Sequence, residues 1–246
     1  MESFFNAVCL SLLPRDFKPS ISIFSEVLKI GVPSAASSIL MSIASILMQN
    51  IASGYGDYVI SAYGVATKMI SMAFMLVLGY VSGYQPFAGY NYGAKNYRRM
   101  LSALKFVAIS STCICIVFLI PFIFFAGAFM NIFTTEEEII GIGIQFLHAY
   151  ALCLPVLGIQ ISLMCTFQAS GAAVRALVVN LGRQCIFNMP LIVILNAVWQ
   201  FKGLTYAGPI ADIFTAILAA LLGIPLLRQL GGESAENIIQ EETPEV

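Results

Sequence analysis

Lys68, Arg183 and Asp212 stand inside long apolar runs of this sequence, together with His148, its one histidine. A charge at mid-membrane costs about 2.5–3.5 kcal/mol on insertion scales, so such residues face a partner or a water-filled cavity. Counted at about 1.5 Å per residue from the near ends of their runs, Lys68, His148 and Asp212 lie roughly 12–15 Å deep, and Arg183 enters from the opposite side. Two chemistries are open to them. Asp212 forms a buried ion pair with Lys68, or failing that with Arg183, or it stands alone and takes up a proton as part of ion coupling. One histidine and no carboxylate pair give no metal site, and His148 reads as a core histidine. The six cysteines (9, 113, 115, 153, 165 and 185) have neither zinc nor disulfide spacing and read as small core side chains. No Ser/His/Asp, zinc or acid-pair constellation appears, so an enzyme and a bound cofactor are not expected.

Polar side chains recur at helical spacing around these charges. Ser34, Ser38, Ser42, Ser45 and Gln49 share one side of a helix, and Ser61, Lys68, Ser71, Met75 and Ser82 share another. Further stripes are Gln145, His148 and Gln160; Asn180, Arg183, Gln184 and Asn188; and Thr205, Asp212 and Thr215. They line a cavity or they let helices pack closely in lipid. On the cavity reading the lining residues are Gln49, Lys68, Met75, Gln85, Gln160, Met164 and Asn188, and Lys68, Arg183 and Asp212 form a membrane-embedded charge network. Met72 and Phe167 are further adaptable contacts or ordinary packing.

The elements that position these side chains follow from composition. Of 246 residues, 59% are hydrophobic and 10% charged, against about 25% charged in a soluble domain. Six apolar runs, near 27–53, 58–86, 106–131, 139–168, 176–199 and 204–227, are each long enough to cross a ~30 Å hydrocarbon core as a helix. They do not alternate with a period of two, which excludes a barrel. The expected fold is all-α: a polytopic lobe of six transmembrane helices over 25–228, after an N-terminal stub and linker (1–24) and before an acidic tail (229–246). From Cys113 to Met130 the third run is apolar all round, which predicts a peripheral helix in contact with membrane lipid. Prolines 33, 86, 121, 155, 190 and 209 fall in or at the ends of runs, where they kink helices and free carbonyls.

Arg15, Lys18, Lys29, Lys95, Arg98, Arg99, Lys105, Arg175 and Arg228 fall on one set of loops, and only Lys202 on the other, with Asp57 and Glu136–Glu138. This asymmetry predicts a multi-pass protein of the cell membrane with both termini cytoplasmic. A net charge of −1 gives no reason to expect nucleic acid.

The segment Gly79–Met100, GYVSGYQPFAGYNYGAKNYRRM, reads as a broken helix end at the cytoplasmic face. Gly79 and Gly83 form a GxxxG pair for a neighbouring helix, Gln85-Pro86 ends or kinks the helix, and Gly89 and Gly93 permit a tight turn. Its core, QPFAGYNYGA (85–94), resembles the multidrug and toxic compound extrusion (MATE) transporters, specifically their C-terminal half. VLKIGVPSAASSIL (27–40), FQASG (167–171), Arg183-Gln184 with Pro190, and GPIADI (208–213) extend the resemblance over about 25–228.

The resemblance implies one of two six-helix lobes around a central cavity open alternately to each side. It implies export of cationic or aromatic small organic compounds in exchange for protons or sodium. The partner is then a missing N-terminal lobe or a second copy. Some members carry a glutamate in the first helix of this lobe, where Leu40-Met41 stand here, and an aspartate mid-way along the fourth, near Gln160 here. That departure argues against sodium coordination by this lobe. The alternatives are a flippase of the same superfamily moving lipid-linked precursors, which a cationic cavity favours, and a membrane subunit without transport of its own.

Overall fold

The structure, a computed structural model, describes the backbone of residues 21–242 and the side chains of residue 24 and of residues 35–172 and 174–232. Most of the expected stub and the last four residues of the expected tail lie outside the described residues. The chain falls into two units, residues 1–36 and 37–246. In the first, the described residues, 21–36, are helical. In the second, every described element is also a helix.

The elements are α1 (Ile21–Ser53), α2 (Asp57–Ser82), α3 (Tyr84–Gly93), α4 (Tyr97–Phe124), α5 (Ala126–Phe133), α6 (Glu137–Ala169), α7 (Ala173–Leu181), a π-helical segment (Gly182–Asn188) and α8 (Met189–Glu242). Gln200, at φ 50° and ψ −131°, interrupts α8. Among the described residues five stretches are long and apolar enough to cross a membrane, and the last of them, Val174–Gly232, divides at Gln200. Six crossings result, as expected, with the fifth running through the π segment to 199 and the sixth following Gln200. The sixth continues as helix to Glu242, through most of the expected tail.

The Gly–Tyr segment is built differently from the expectation. The break comes at Gly83, whose N–H reaches back to the Tyr80 carbonyl at 3.2 Å. Pro86 then sits in the first turn of α3, where a missing N–H costs nothing. Gly89 stays inside that helix. The chain turns at Ala94–Asn96, with Lys95 in the left-handed region (φ 56°) and the Asn96 side chain accepting from the Arg99 N–H at 3.3 Å. Nor does the GxxxG pair receive a helix among the described residues. A Cβ on Gly79 would meet nothing within 4 Å, and one on Gly83 would meet only the Tyr80 carbonyl oxygen.

Helix α6 holds the lobe together, with α2, α4 and α8 packed on it. The α4–α6 seam is the tightest. A Cβ at Gly158 would stand 3.0 Å from the Ser111 carbonyl carbon and the Thr112 nitrogen. Ser111 Oγ lies in the same seam, 3.1 Å from both the Ala108 and the Gly158 carbonyls and 3.2 Å from Ser162 Oγ. Small residues and short hydroxyls in such a seam are how helices associate in lipid. The third crossing ends three residues after Pro121 and resumes as α5. It buries Cys115, Phe122, Ala126 and Met130 and exposes Val117, Ile120, Phe124 and Phe125. One face is therefore packed and the remainder is apolar and open.

Candidate functional site

A cavity of about 200 Å³ opens among α1, α2, α6, the π segment and α8. Met41, Ser45 and Met48 come from α1, Tyr63 from α2 and Tyr150 from α6; Arg183, Gln184 and Asn188 come from the π segment, and Gly208 and Asp212 from α8. The π segment explains how three polar residues of one short stretch reach the same space. In a π turn residues five apart are hydrogen-bonded neighbours, whereas in an α-helix they point about 140° apart. Arg183 and Asn188, five apart, therefore both face the cavity, and Asn188 Nδ2 donates to Gln184 Oε1 at 3.4 Å. The segment is seated on α8 by Phe187 stacked on Phe214 (5.7 Å, 16°) and by Gly182, where a Cβ would lie 2.9 Å from Leu218 Cδ2.

The charge pair closes this wall. Arg183 Nε donates to Asp212 Oδ1 at 2.7 Å, with the Asp212 side chain 7% and the Arg183 side chain 29% exposed. The Tyr150 ring lies against Gly208, one helical turn before Asp212, because Gly208 has no side chain. A Cβ there would fall on the Tyr150 hydroxyl and ring. The arrangement presents one ion pair, two phenols and two carboxamides to a small, partly apolar space. It suits an ordered polar ligand or a few waters better than a bulky compound.

The other expected site residues are dispersed. Among the described residues Arg183–Asp212 is the single ion pair. Lys68, first choice as the partner of Asp212, is instead exposed on α2 and does not line the cavity. Depth placed the two at one level, but the buried side of α2 is its Ala62, Ala66, Met69 and Ala73 face, so Lys68 is directed elsewhere. Gln49 is exposed, with its amide 3.3 Å from Ser45 Oγ, and Met75 is 71% exposed. Gln85 Nε2 donates to Gln168 Oε1 at 3.3 Å. Gln160 is buried between helices with its Oε1 unbonded, and Met164 is half-buried away from the cavity. Phe167 is fully buried core. Of the seven expected lining residues, only Asn188 is here.

His148 Nε2 lies 3.0 Å from the Ile123 carbonyl, one of the last-turn acceptors of α4 that have no helical partner. Among the described residues no three of His, Cys, Asp and Glu gather into a metal-binding group. Sequence reasoning missed Tyr63 and Tyr150. The only trace was a glycine at 208 with no turn to explain it.

Comparison with known proteins bears on the whole lobe. A family model described as MatE matches residues 33–194. The multidrug export protein MepA of Staphylococcus aureus (strain MSSA476) is 28% identical over 211 residues, covering 86% of this chain and 46% of MepA. The MepA of Staphylococcus haemolyticus (strain JCSC1435) is 24% identical over 229 residues, covering 93% of this chain and 50% of its own length. The chain thus spans about half the length of the relatives it matches. Among solved structures, a MATE protein in its bent conformation superposes with a TM-score of 0.82 at 21% identity, over 94% of this chain and 52% of the other. A MOP superfamily transporter from Pyrococcus furiosus, described as having a binding pocket of reverse polarity, gives 0.79 at 22% identity, over 89% and 50%. These likenesses show the fold, one half of a MATE architecture. With the family model covering most of its length, the chain belongs to the MatE family.

Proposed function

We propose that this chain acts as the C-terminal lobe of a multidrug efflux antiporter, exporting cationic or aromatic compounds in exchange for protons or sodium. The second lobe comes from a separate or covalently joined half, or from a second copy. The observation that carries this reading is the polar and charged groups on the exposed side of α1 and α2, set among exposed Met41, Met72, Met75 and Leu76. Ser42, Ser45 and Gln49 on α1 and Ser61, Lys68, Ser71 and Ser82 on α2 are all exposed, while the opposite side of α2 is buried and apolar. Polar groups at membrane depth are costly unless protein or water covers them. A facing lobe enclosing an aqueous cavity meets that need, and half-length coverage of the relatives supports it.

Ethidium efflux tests the proposal in cells expressing only these 246 residues, with oligomeric state read in parallel by cross-linking. No efflux is expected from a monomer. Export should appear only in a dimer, or when the half of MepA that this chain does not match is co-expressed. Robust efflux from a demonstrated monomer overturns the proposal.

Lys68 favours a second reading. A cation in mid-run on the exposed face of α2 repels cationic cargo and suits an anionic one, such as a lipid-linked precursor. The reverse-polarity pocket described for the Pyrococcus furiosus transporter is a precedent for such a difference within one fold. Lys68→Met raising ethidium export in the assembled transporter would favour this flippase reading.

A further inference from the structure

Helix α4 begins with a concentration of positive charge. Lys95 stands in the turn before it, Arg98 and Arg99 in its first turn and Lys105 two turns beyond Arg98, and all of them are exposed. The turn that presents them is fixed. Lys95 is held at φ 56°, the Tyr92 and Tyr97 rings meet at 5.7 Å, and the Arg99 guanidinium lies 5.5 Å from the centre of the Phe87 ring. Among the described residues no carboxylate answers this charge. Asp212 is paired with Arg183, and Asp57 and Glu136–Glu138 stand at the opposite ends of the crossings.

Two cations in a first turn are also badly placed for the helix itself. The N–H groups of a helix N-terminus carry partial positive charge, and that turn of α4 contains no acidic residue. An anion against Arg98 and Lys105 relieves both repulsions.

The same side of α4 then becomes apolar. At 100° per residue, Arg98, Ser102, Lys105, Ile109, Ile116 and Ile120 fall within about 60° of one another, and all are exposed. From Lys105 to Ile116 the helix rises about 16 Å, the depth of one leaflet of a ~30 Å hydrocarbon core. A free phosphate or an acidic peptide answers the charge and leaves the isoleucines bare. A lipid without net charge covers the isoleucines and leaves the cations unanswered.

We infer that this side of α4 holds an anionic phospholipid, its phosphate headgroup between Arg98 and Lys105 and an acyl chain along Ile109 and Ile116. Basic clusters where a helix enters the membrane attract anionic lipid, and a guanidinium binds phosphate oxygens through paired N–H groups. The inference does not depend on transport by the chain, because it concerns a single helix surface.

The test is binding of dioleoylphosphatidylglycerol to the delipidated full chain in detergent, counted by native mass spectrometry across a lipid titration. Zwitterionic dioleoylphosphatidylcholine is the comparison. Phosphatidylglycerol should bind about tenfold or more tightly. Arg98→Gln/Lys105→Gln should remove most of that preference, and the charge-keeping Arg98→Lys/Lys105→Arg should retain it. Lys202→Gln, an exposed cation lost from the opposite end, should leave it intact. Dihexanoylphosphatidylglycerol, with the same headgroup on short chains, should bind about tenfold more weakly, and millimolar inorganic phosphate should not displace the long-chain lipid. The inference is overturned if the two dioleoyl lipids bind alike, or if the preference survives Arg98→Gln/Lys105→Gln. Equal loss in Lys202→Gln identifies net charge rather than a site and overturns it. Displacement by phosphate, or equal binding of the short-chain lipid, makes the site one for the anion alone and overturns it as well. These last two arms use the wild-type chain and decide the matter even where a variant fails to fold.

Discussion

Arg183 and Asp212 are joined by one hydrogen bond of 2.7 Å, and it ties the π-helical segment of the fifth crossing to the middle of the sixth. The pair is asymmetric. The Asp212 side chain is 7% exposed, while that of Arg183, which lines the cavity, is 29% exposed. Removing one member of a buried pair strands the other at a cost of about 3–5 kcal/mol. Arg183→Met, which strands the better-buried partner, should therefore lower membrane abundance more than Asp212→Asn does. The double change should recover part of the loss, and Asp212→Asn with Lys68→Met should recover none. Abundance of tagged variants in isolated membranes measures this. Wild-type abundance in Asp212→Asn with lost efflux in the assembled transporter would instead make Asp212 an ion carrier.

The π segment holds one residue more than an α turn needs. Deleting exposed Ile186 from it should restore regular α-helix and improve local backbone bonding. Residues five apart are neighbours in a π turn and four apart in an α turn, so Asn188 then still neighbours Arg183 and the helix beyond it keeps its direction along the cavity wall. Thermal stability in detergent should therefore rise. A fall would mean that the extra residue is needed to seat Phe187 on Phe214.

Two glycines separate close packing from open surface. Gly158→Ala puts a Cβ 3.0 Å from backbone of α4 that has no flexible end to yield, and should cost about 1–3 kcal/mol. Gly79→Ala meets nothing in this chain and should gain about 0.5–1 kcal/mol from lower unfolded-state entropy. Thermal denaturation of the two purified variants gives the ordering. The GxxxG spacing alone would have reversed the expectation for Gly79.

That contrast shows what the sequence contained. Hydropathy located six crossings because each run must satisfy its own backbone in lipid, and the gap between 199 and 204 already marked the break at Gln200. Rise per residue put Lys68, His148 and Asp212 at one depth. Depth says nothing of azimuth, and the direction each residue faces is set by which helices pack on α6. Hence His148 went to the Ile123 carbonyl, Lys68 to an open face, and Asp212 to Arg183. The π segment was illegible for a related reason. Its residues have ordinary helical propensity, and the extra residue per turn is fixed by seating Gly182 on Leu218 and Phe187 on Phe214.

Orientation in the membrane rests on charge. Lys95, Arg98 and Arg99 stand at the α3–α4 turn and Arg175 in the first turn of α7, whereas the opposite ends of the crossings carry Lys202 with Asp57, Glu136 and the first-turn Glu137 and Glu138 of α6. Cytoplasmic loops hold excess positive charge, so the α3–α4 turn with Lys95, Arg98 and Arg99 should face the cytoplasm and the start of α6 the outside. Both positions are exposed, so a thiol at either reports which side it faces rather than its burial. In a background stripped of native cysteines, Glu137→Cys should react with a membrane-impermeant maleimide added to intact cells, and Asn96→Cys only after permeabilisation. The opposite pattern would invert the lobe.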